Sequence, residues 1–205
     1  MTQSIDKKLL RRIQGRGKGS IWTPTDFTDL GERAAIAKAL SRNTKAGRIK
    51  RIARGLYSYP EKHPVLGDIA PSIDTISKAL KGRDQVRLLP SGAYAANLLH
   101  LSEQVPARVV FLSDGPNRKV EVGKLVIELK HVTPKRVAAA GRMSGLIMEA
   151  LRYQGENYVN DNTIGAIAKS LGKKQRKQLI EDLRLAPAWM RPHLKSIAEK
   201  AGAAT

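Results

Sequence analysis

The sequence predicts an α+β protein: three short helices and a hairpin over residues 1–60, a mixed α/β segment to about 139, and helices after that. Three observations carry the prediction. Apolar residues in the first sixty recur at helical spacing between turn and cap residues, then give way to a strand-like run. Residues 125–132 alternate from face to face. Beyond about 140 the helical spacing returns, broken at Gly155, Gly172 and Pro187.

In the first helix, Ile5, Leu9 and Ile13 recur at i+4 with Leu10 beside them, and Lys7, Lys8, Arg11 and Arg12 take the other faces. That is the pattern of an amphipathic helix. Gly15-Arg-Gly-Lys-Gly-Ser20 ends it. This stretch lacks the spacing of a phosphate loop, and no strand precedes it, so it reads as a basic turn. Ser20-Ile-Trp22 is an extended lead-in. Thr23 then predicts an N-cap, with Pro24 at the first helical position and Asp26 as the return half of a capping box. Phe27 and Leu30 form the buried side of a brief second helix, and Gly31 is the turn. A third helix follows from Glu32 to Ala46. At ~100° per residue, Ala39, Leu40 and Asn43 share its core face with Ile36. Ala34, Lys38, Ser41 and Lys45 fall opposite, with Arg42 flanking them. Gly47 is the expected C-cap. In Arg48–Pro60, Leu56-Tyr-Ser-Tyr59 is strand-like and Arg54-Gly55 fits a tight turn, which predicts a two-stranded wing.

The order helix, helix–turn–helix, hairpin is that of a winged helix–turn–helix. In that module the second helix of the pair enters the major groove of DNA. Arg33, Ala34, Lys38, Ser41 and Arg42 are the candidates for base edges, because Arg and Lys suit guanine and an Ala methyl suits the thymine methyl. Lys45, Arg48, Lys50, Arg51 and Arg54 are the candidates for phosphates, which set affinity and register.

Charge agrees with this reading. The chain has 205 residues, with 37 Lys/Arg against 18 Asp/Glu, a net +19. Residues 1–60 hold 14 of the cations and 4 of the acids, so under a third of the length carries half the surplus. A surplus of this kind has two readings, attraction to polyanions or solubility alone, and its concentration at the N-terminus is where a nucleic-acid module is sought first. With no cysteine there is no disulfide, thiolate nucleophile or Cys-based metal site. No run reaches the ~20 apolar residues of a membrane helix. The start, MTQSIDKKLL, has no apolar signal region, so the expected location is the cytoplasm. Hydrophobic content of 41% is enough for packed cores and excludes a disordered basic tail.

Several segments resemble the AbiEi-type antitoxins of bacterial abortive-infection toxin–antitoxin systems. Trp22-Thr-Pro-Thr-Asp-Phe27, the helix around Ala34–Leu40 and Gly47-Arg-Ile-Lys-Arg-Ile-Ala-Arg-Gly-Leu-Tyr57 are similar to that family's N-terminal winged domain. Leu89-Pro-Ser-Gly-Ala-Tyr-Ala-Ala-Asn97, Leu101-Ser-Glu-Gln-Val-Pro106, Val110-Phe-Leu-Ser-Asp-Gly115 and Ala186-Pro-Ala-Trp-Met190 are similar to its second domain. The likeness spans roughly residues 5–195. It implies an antitoxin that binds inverted repeats in its own promoter and represses its operon. It also implies a nucleotidyltransferase-like toxin encoded beside it, with direct contact between the two left open. The oligomeric state is open as well, a monomer binding repeats being one arrangement. The expected domains are 1–60 for DNA binding and 61–205 for the antitoxin effector or interaction role.

In the second domain, residues 60–70 read as a linker or domain entry around Pro60, Pro64 and Gly67, with Pro71 following. Ile73, Ile76 and Leu80 mark a helix over 72–80. Val86–Leu89 is a short strand and Gly92–His100 a helix. Strands are expected at 108–113, 119–122 and 125–132. On the last, Val126, Glu128, Lys130 and Val132 share one side, and Leu125, Ile127 and Leu129 the other, as in a half-buried antiparallel sheet. Helices are expected at 142–154, 161–171, 174–185 and 188–201, with Trp189 and Met190 in the core.

No enzyme activity, cofactor or metal is expected. Asp114 with Glu128-Leu-Lys130 mimics the Asp…Glu-x-Lys set of metal-dependent nucleases, where two carboxylates hold Mg²⁺ and the Lys assists water. Asp114 lies in a turn-forming Asp-Gly-Pro-Asn, however, and Glu and Lys two apart are common on an exposed strand. A nuclease is therefore the alternative, as is a winged-helix regulator unrelated to a toxin. His63, His100, His131 and His193 are far apart in sequence with no i,i+4 pair. Ser91 reads as a helix-start serine rather than a nucleophile. Lys173, Lys174, Arg176 and Lys177 begin a late helix as a solvated basic turn, with a second phosphate-contacting patch as the other reading.

Overall fold

The computed structural model describes residues 4–65, 67–104 and 106–203. Residues 1–3, where the signal-peptide reading begins, and Val105, within the Leu101–Pro106 segment, lie outside the described residues. The chain is a mixed α+β protein that divides into two units, 1–85 and 86–205. The division falls at 85/86, not at the expected 60/61, because the helix over 73–84 packs on a strand of the N-terminal sheet. The added residues are charge-neutral, so the first unit keeps its net +10, from 18 Lys/Arg and 8 Asp/Glu.

The first unit starts with α1 (Ile5–Arg16), capped by Ser4, whose Oγ accepts from Lys7 N at 3.5 Å. Strand β1 (Ile21–Trp22) and a 3₁₀ segment (Pro24–Leu30) lead to α2 (Arg33–Lys45). Strands β2 (Lys50–Ala53) and β3 (Leu56–Ser58) form a hairpin. The Asp26 carboxylate accepts from Thr23 N at 2.6 Å, as the capping pattern predicts. The second element is nevertheless 3₁₀ and not α. Its seven residues include Thr25, Asp26, Thr28 and Asp29, side chains that compete with the helical backbone for hydrogen bonds.

One core fills the space between these elements. Leu9, Ile13, Trp22, Phe27, Ile36, Ala39, Leu40 and Ile49 are its buried residues. Trp22 stacks on Phe27 with centroids 5.2 Å apart, and its indole N–H donates to Ser20 Oγ at 2.9 Å. The lead-in at Ile21-Trp22 is a third strand rather than an unpaired segment. It pairs antiparallel with β3 (Ile21 with Ser58, Trp22 with Tyr57), giving the order β1-β3-β2.

Residues 60–70 are not a linker. β4 (Glu61–His63) and β5 (Gly67–Ile69) pair antiparallel as a second hairpin. α3 (Ile73–Asp84) follows, with Ser72 Oγ accepting from Thr75 N at 3.1 Å, and it buries Ile76 and Leu80.

The second unit holds β6 (Leu88–Ser91), α4 (Gly92–Leu98), β7 (Arg108–Ser113), β8 (Arg118–Val122) and β9 (Leu125–His131). Its four-stranded sheet has the order β6-β7-β9-β8. The sheet is mixed, which corrects the antiparallel expectation. β7 and β9 run parallel, from Arg108 opposite Val126 to Ser113 opposite His131. The Gly123-Lys124 turn folds β8 back on β9 as a hairpin and sends β8 to the edge, so β9 meets β7 directly. The unbroken apolar run Val109-Val-Phe-Leu112 suits such a central strand, which is covered on both faces.

Helices α5 (Met143–Gln154), α6 (Asp161–Lys169), α7 (Lys173–Glu181) and α8 (Met190–Ala203) complete the unit. A 3₁₀ turn, Asp182–Leu185, takes up the end of the expected 174–185 helix. Ile147, Leu151, Ile167, Leu179, Met190, Leu194 and Ile197 build the core, and Trp189 is half-buried against it. Asp182 is buried and not solvated: Arg142 Nη1 donates to it at 2.5 Å, and Ser144 Oγ donates to its other oxygen. Among the described residues no helix is long and apolar enough to cross a membrane.

Candidate nucleic-acid interface

The α2 wheel sorts its residues by burial. Ile36, Ala39, Leu40 and Asn43 are buried. Arg33, Ala34, Ala37, Lys38, Ser41, Arg42 and Lys45 are exposed. Ala34, Ala37 and Ser41 are small, so the middle of this face lets another molecule approach the helix closely. Arg33 and Lys38 stand beside it, and Lys45 ends it.

The end of α2 aims the hairpin. Gly47 has φ +67°, Gly47 N donates to Thr44 O at 3.0 Å, and Arg48 N donates to Asn43 O at 3.0 Å. These two bonds make a Schellman cap, a geometry that favours glycine. Ile49 follows and is buried, which anchors the start of the hairpin in the core. The turn Arg54-Gly55 needs φ +72° at Gly55. Between Arg51 and Ala53 the register shifts by a bulge, and Ile52 is the extra residue. Arg83 of α3 donates from Nη1 to Arg54 O at 3.1 Å, tying the turn to the helix.

Lys50, Arg51 and Arg54 are exposed along the hairpin, and Arg48 is exposed before it. All ten sequence candidates therefore lie on the surface of the first unit, but their surroundings differ. Arg42 is paired with Asp6 of α1. Arg48 Nη1 donates to Asn43 Oδ1 at 3.3 Å. Lys50 Nζ is 3.5 Å from Asp68, an exposed pair worth little in water. The charged groups of Arg33, Lys38, Lys45, Arg51 and Arg54 contact no acid among the described residues. Glu32, just before α2, is the acid nearest in sequence to this set.

Sequence reasoning missed the residues that hold this surface. Asp6 accepts from Arg42 and, at 3.3 Å, from Asn43 Nδ2. Asn43 is buried and also donates to Ala39 O at 2.9 Å. It thus joins α1, α2 and the loop to the hairpin. The available signal was an amide on the predicted core face. Arg12 makes a bidentate pair with Asp29, at 2.7 and 2.6 Å, and locks α1 to the 3₁₀ segment. Arg16 lies over the Trp22 ring at 3.9 Å. Two of the basic residues of α1 therefore brace the fold.

The nuclease set does not converge. Asp114 accepts from Arg87 N and Nε, each at 2.8 Å, and those bonds hold its carboxyl below the usual range. Glu128 pairs with Arg108 at 3.2 Å, and Lys130 is exposed. Glu128 sits opposite Val110, four residues before Asp114, which is roughly 13 Å along the strand. No single ion spans that separation. Among the described residues no group of three or more His, Asp or Glu gathers in metal-binding fashion.

The histidines stay dispersed. His63 Nδ1 accepts from Val65 N at 3.2 Å, and His131 Nδ1 is 2.9 Å from Gly115 O. His100 caps a turn at φ +57°, and His193 sits edge-on to Trp189. Ser91 Oγ donates to the buried Glu149 at 2.8 Å, a role sequence spacing did not show. Lys173, Lys174, Arg176 and Lys177 are exposed at the start of α7.

The model of a family of unknown function, DUF6088, matches residues 8–179. No curated protein matches the chain.

Proposed function

The chain belongs to DUF6088, a family of unknown function, and we propose that it is a DNA-binding antitoxin that represses its own operon. One observation carries the DNA part. An exposed helix face of small and cationic residues is followed, through the Gly47 cap, by a hairpin whose exposed residues are also cationic. The helix, 3₁₀ segment, helix and three-stranded sheet follow the order of a winged helix–turn–helix, in which α2 would be the recognition helix. Arg33, Ala34, Lys38 and Ser41 would then meet base edges in the major groove. Lys45, Arg48, Lys50, Arg51 and Arg54 would meet phosphates. Arg42, already paired with Asp6, would serve as a brace.

The antitoxin role rests on the resemblance to AbiEi-type antitoxins. In that reading the protein acts in the cytoplasm, binds inverted repeats in its promoter, and counters a nucleotidyltransferase-like toxin encoded beside it.

The test is a promoter-binding titration at several salt concentrations. Binding to the repeat should exceed binding to random DNA and should weaken steeply as salt rises, from release of counterions. Arg33→Ala and Lys38→Ala should relax base preference. Lys50→Ala should weaken all sequences about equally. Equal affinity for promoter and random DNA at matched salt would remove the repressor reading. A neighbouring reading frame without a nucleotidyltransferase-like product would remove the antitoxin reading.

A further inference from the structure

A second concentration of positive charge lies in the second unit. A cavity of about 370 Å³ opens between the turn after β9, the α5 face, the 182–185 turn and the start of α8. Five cations line it, Lys135, Arg136, Arg152, Arg184 and Arg191, against one acid, Glu149. The surplus of four positive charges sits in a concave site, where low-dielectric walls strengthen each charge.

Two layers can be told apart. Inside, Arg136 Nη2 pairs with Glu149 at 2.7 Å, and Arg152 Nε stands 3.6 Å from the same carboxylate oxygen. Glu149 Oε2 is already taken by Ser91. One carboxylate therefore serves two half-buried guanidiniums, and the Nε atoms of both are buried with no hydrogen-bond partner. Burial and the neighbouring Arg136 charge both push the Arg152 guanidinium towards deprotonation, although Glu149 opposes them. At the mouth, Lys135 and Arg184 make no polar side-chain contact among the described residues. Arg191 spends only Nε, on Ala186 O at 3.2 Å.

The cavity also has an apolar wall, from Leu89, Met148 and Pro187. Its volume lies in the range of small-molecule sites and is far larger than an inorganic ion needs. Arginine forks match phosphate oxygens two at a time. We propose that this cavity is a binding site for a small organic phosphate, of nucleoside-monophosphate size, with the phosphate on the Arg152, Arg184 and Arg191 side chains and the organic body on the apolar wall. A monocarboxylate would leave most of the charge surplus uncompensated, whereas a phosphate dianion offsets more of it. The proposal concerns residues 86–205 and stands independently of promoter binding.

Calorimetric titration of the full chain with AMP, at fixed ionic strength, tests it. AMP and ribose 5-phosphate should bind saturably at one site. Adenosine should not bind, and inorganic phosphate should bind at least tenfold more weakly than AMP. The rim variant Arg184→Gln/Arg191→Gln leaves the Glu149 pairs intact, so it should fold normally and bind AMP at least tenfold more weakly. Arg152→Gln should do the same if it folds.

Absence of saturable AMP and ribose 5-phosphate binding overturns the proposal. So does AMP affinity unchanged in a folded rim variant. Inorganic phosphate binding as tightly as AMP, or citrate binding more tightly, overturns the organic-phosphate assignment. If duplex DNA binding falls in the rim variant while AMP never binds, the cations belong to a DNA surface and the proposal fails.

Discussion

Arg42 of α2 is paired with Asp6 of α1, through two of its nitrogens and both carboxylate oxygens. The same carboxylate accepts from Asn43, so the pair fixes the angle at which α2 leaves the body of the first unit. Arg42→Ala should therefore leave base preference nearly unchanged, whereas Arg33→Ala and Lys38→Ala should alter it. Asp6→Asn should weaken binding to all sequences by loosening α2 rather than by removing a contact. Competition binding against a panel of altered sites separates the two behaviours. A loss of base preference in Arg42→Ala comparable with that in Lys38→Ala would make Arg42 a reader.

Gly47 joins α2 to the hairpin at φ +67°, and a Cβ there would meet nothing within 4 Å. The cost of Gly47→Ala is therefore conformational, about 1–2 kcal/mol for a side chain in the left-handed region. A chain of this size should lose a few degrees in Tm. Gly47→Asn should lose less, because asparagine tolerates that region. The Tm order wild type, then Asn, then Ala is the expected result. An alanine variant as stable as wild type would mean the cap relaxes to another geometry.

The contrast between Asn43 and Arg42 shows what the sequence can carry. Helical spacing put Asn43 with Ile36, Ala39 and Leu40 on the buried face, because a 3.6-residue period is a local signal. Nothing local distinguishes Arg42 from Lys38, since its partner Asp6 lies 36 residues away. Glu149 was hidden for the same reason: it sits in Gly145-Leu-Ile-Met-Glu149-Ala, and its Ser91 donor is 58 residues distant. The β4–β5 hairpin leaves no strand signal in the sequence, because Glu61-Lys-His63 and Gly67-Asp-Ile69 are exposed throughout and show no alternation. The sides of β9 were readable from its alternation, but the parallel neighbour β7 was not, because strand order is set by long-range packing.

Gly145 in the first turn of α5 has the opposite problem from Gly47. A Cβ there would stand 2.4 Å from Ala139 O and 2.9 Å from Ala139 C, both backbone atoms. Alanine gains up to about 1 kcal/mol in helix propensity over glycine. Overpacking against backbone costs about 1–3 kcal/mol, so the clash wins and Gly145→Ala should destabilise. Gly165 in α6 has nothing within 4 Å of the same added atom. Gly165→Ala should stabilise, by up to about 1 kcal/mol. Denaturant melts of the two variants should move in opposite directions. A shift in the same direction would mean that close packing at Ala139 does not limit α5.

Asp114 is held ionised by Arg87, first through the guanidinium and then through the backbone N–H. Its folded-state pKa is lowered, so its contribution is present above the unfolded value. It is lost as pH falls through the folded one. Asp114→Asn should be less stable than wild type at pH 7, and the gap should narrow below about pH 4, where the unfolded carboxylate protonates. Urea melts from pH 7 to pH 3 measure it. A gap constant over that interval would show that the Arg87 contact does not depend on charge.

Glu149 is the buried acid between Arg136 and Arg152, and its substitution weighs charge against packing. Glu149→Gln keeps the shape, but Ser91 and Arg136 use different oxygens of the carboxylate, so the single amide oxygen can accept from only one of them, and two half-buried guanidiniums are left facing each other. Removing one partner of a buried pair typically costs about 3–5 kcal/mol. The Arg side chains here remain about one-third exposed, at 32% and 36%, so the loss should fall at or below the lower end. If repulsion causes it, Arg152→Met added to Glu149→Gln should recover part of the stability, because only one guanidinium then remains. If lost hydrogen bonding causes it, the double variant should be less stable than Glu149→Gln alone. A double-variant cycle by chemical denaturation reads the sign of the coupling directly.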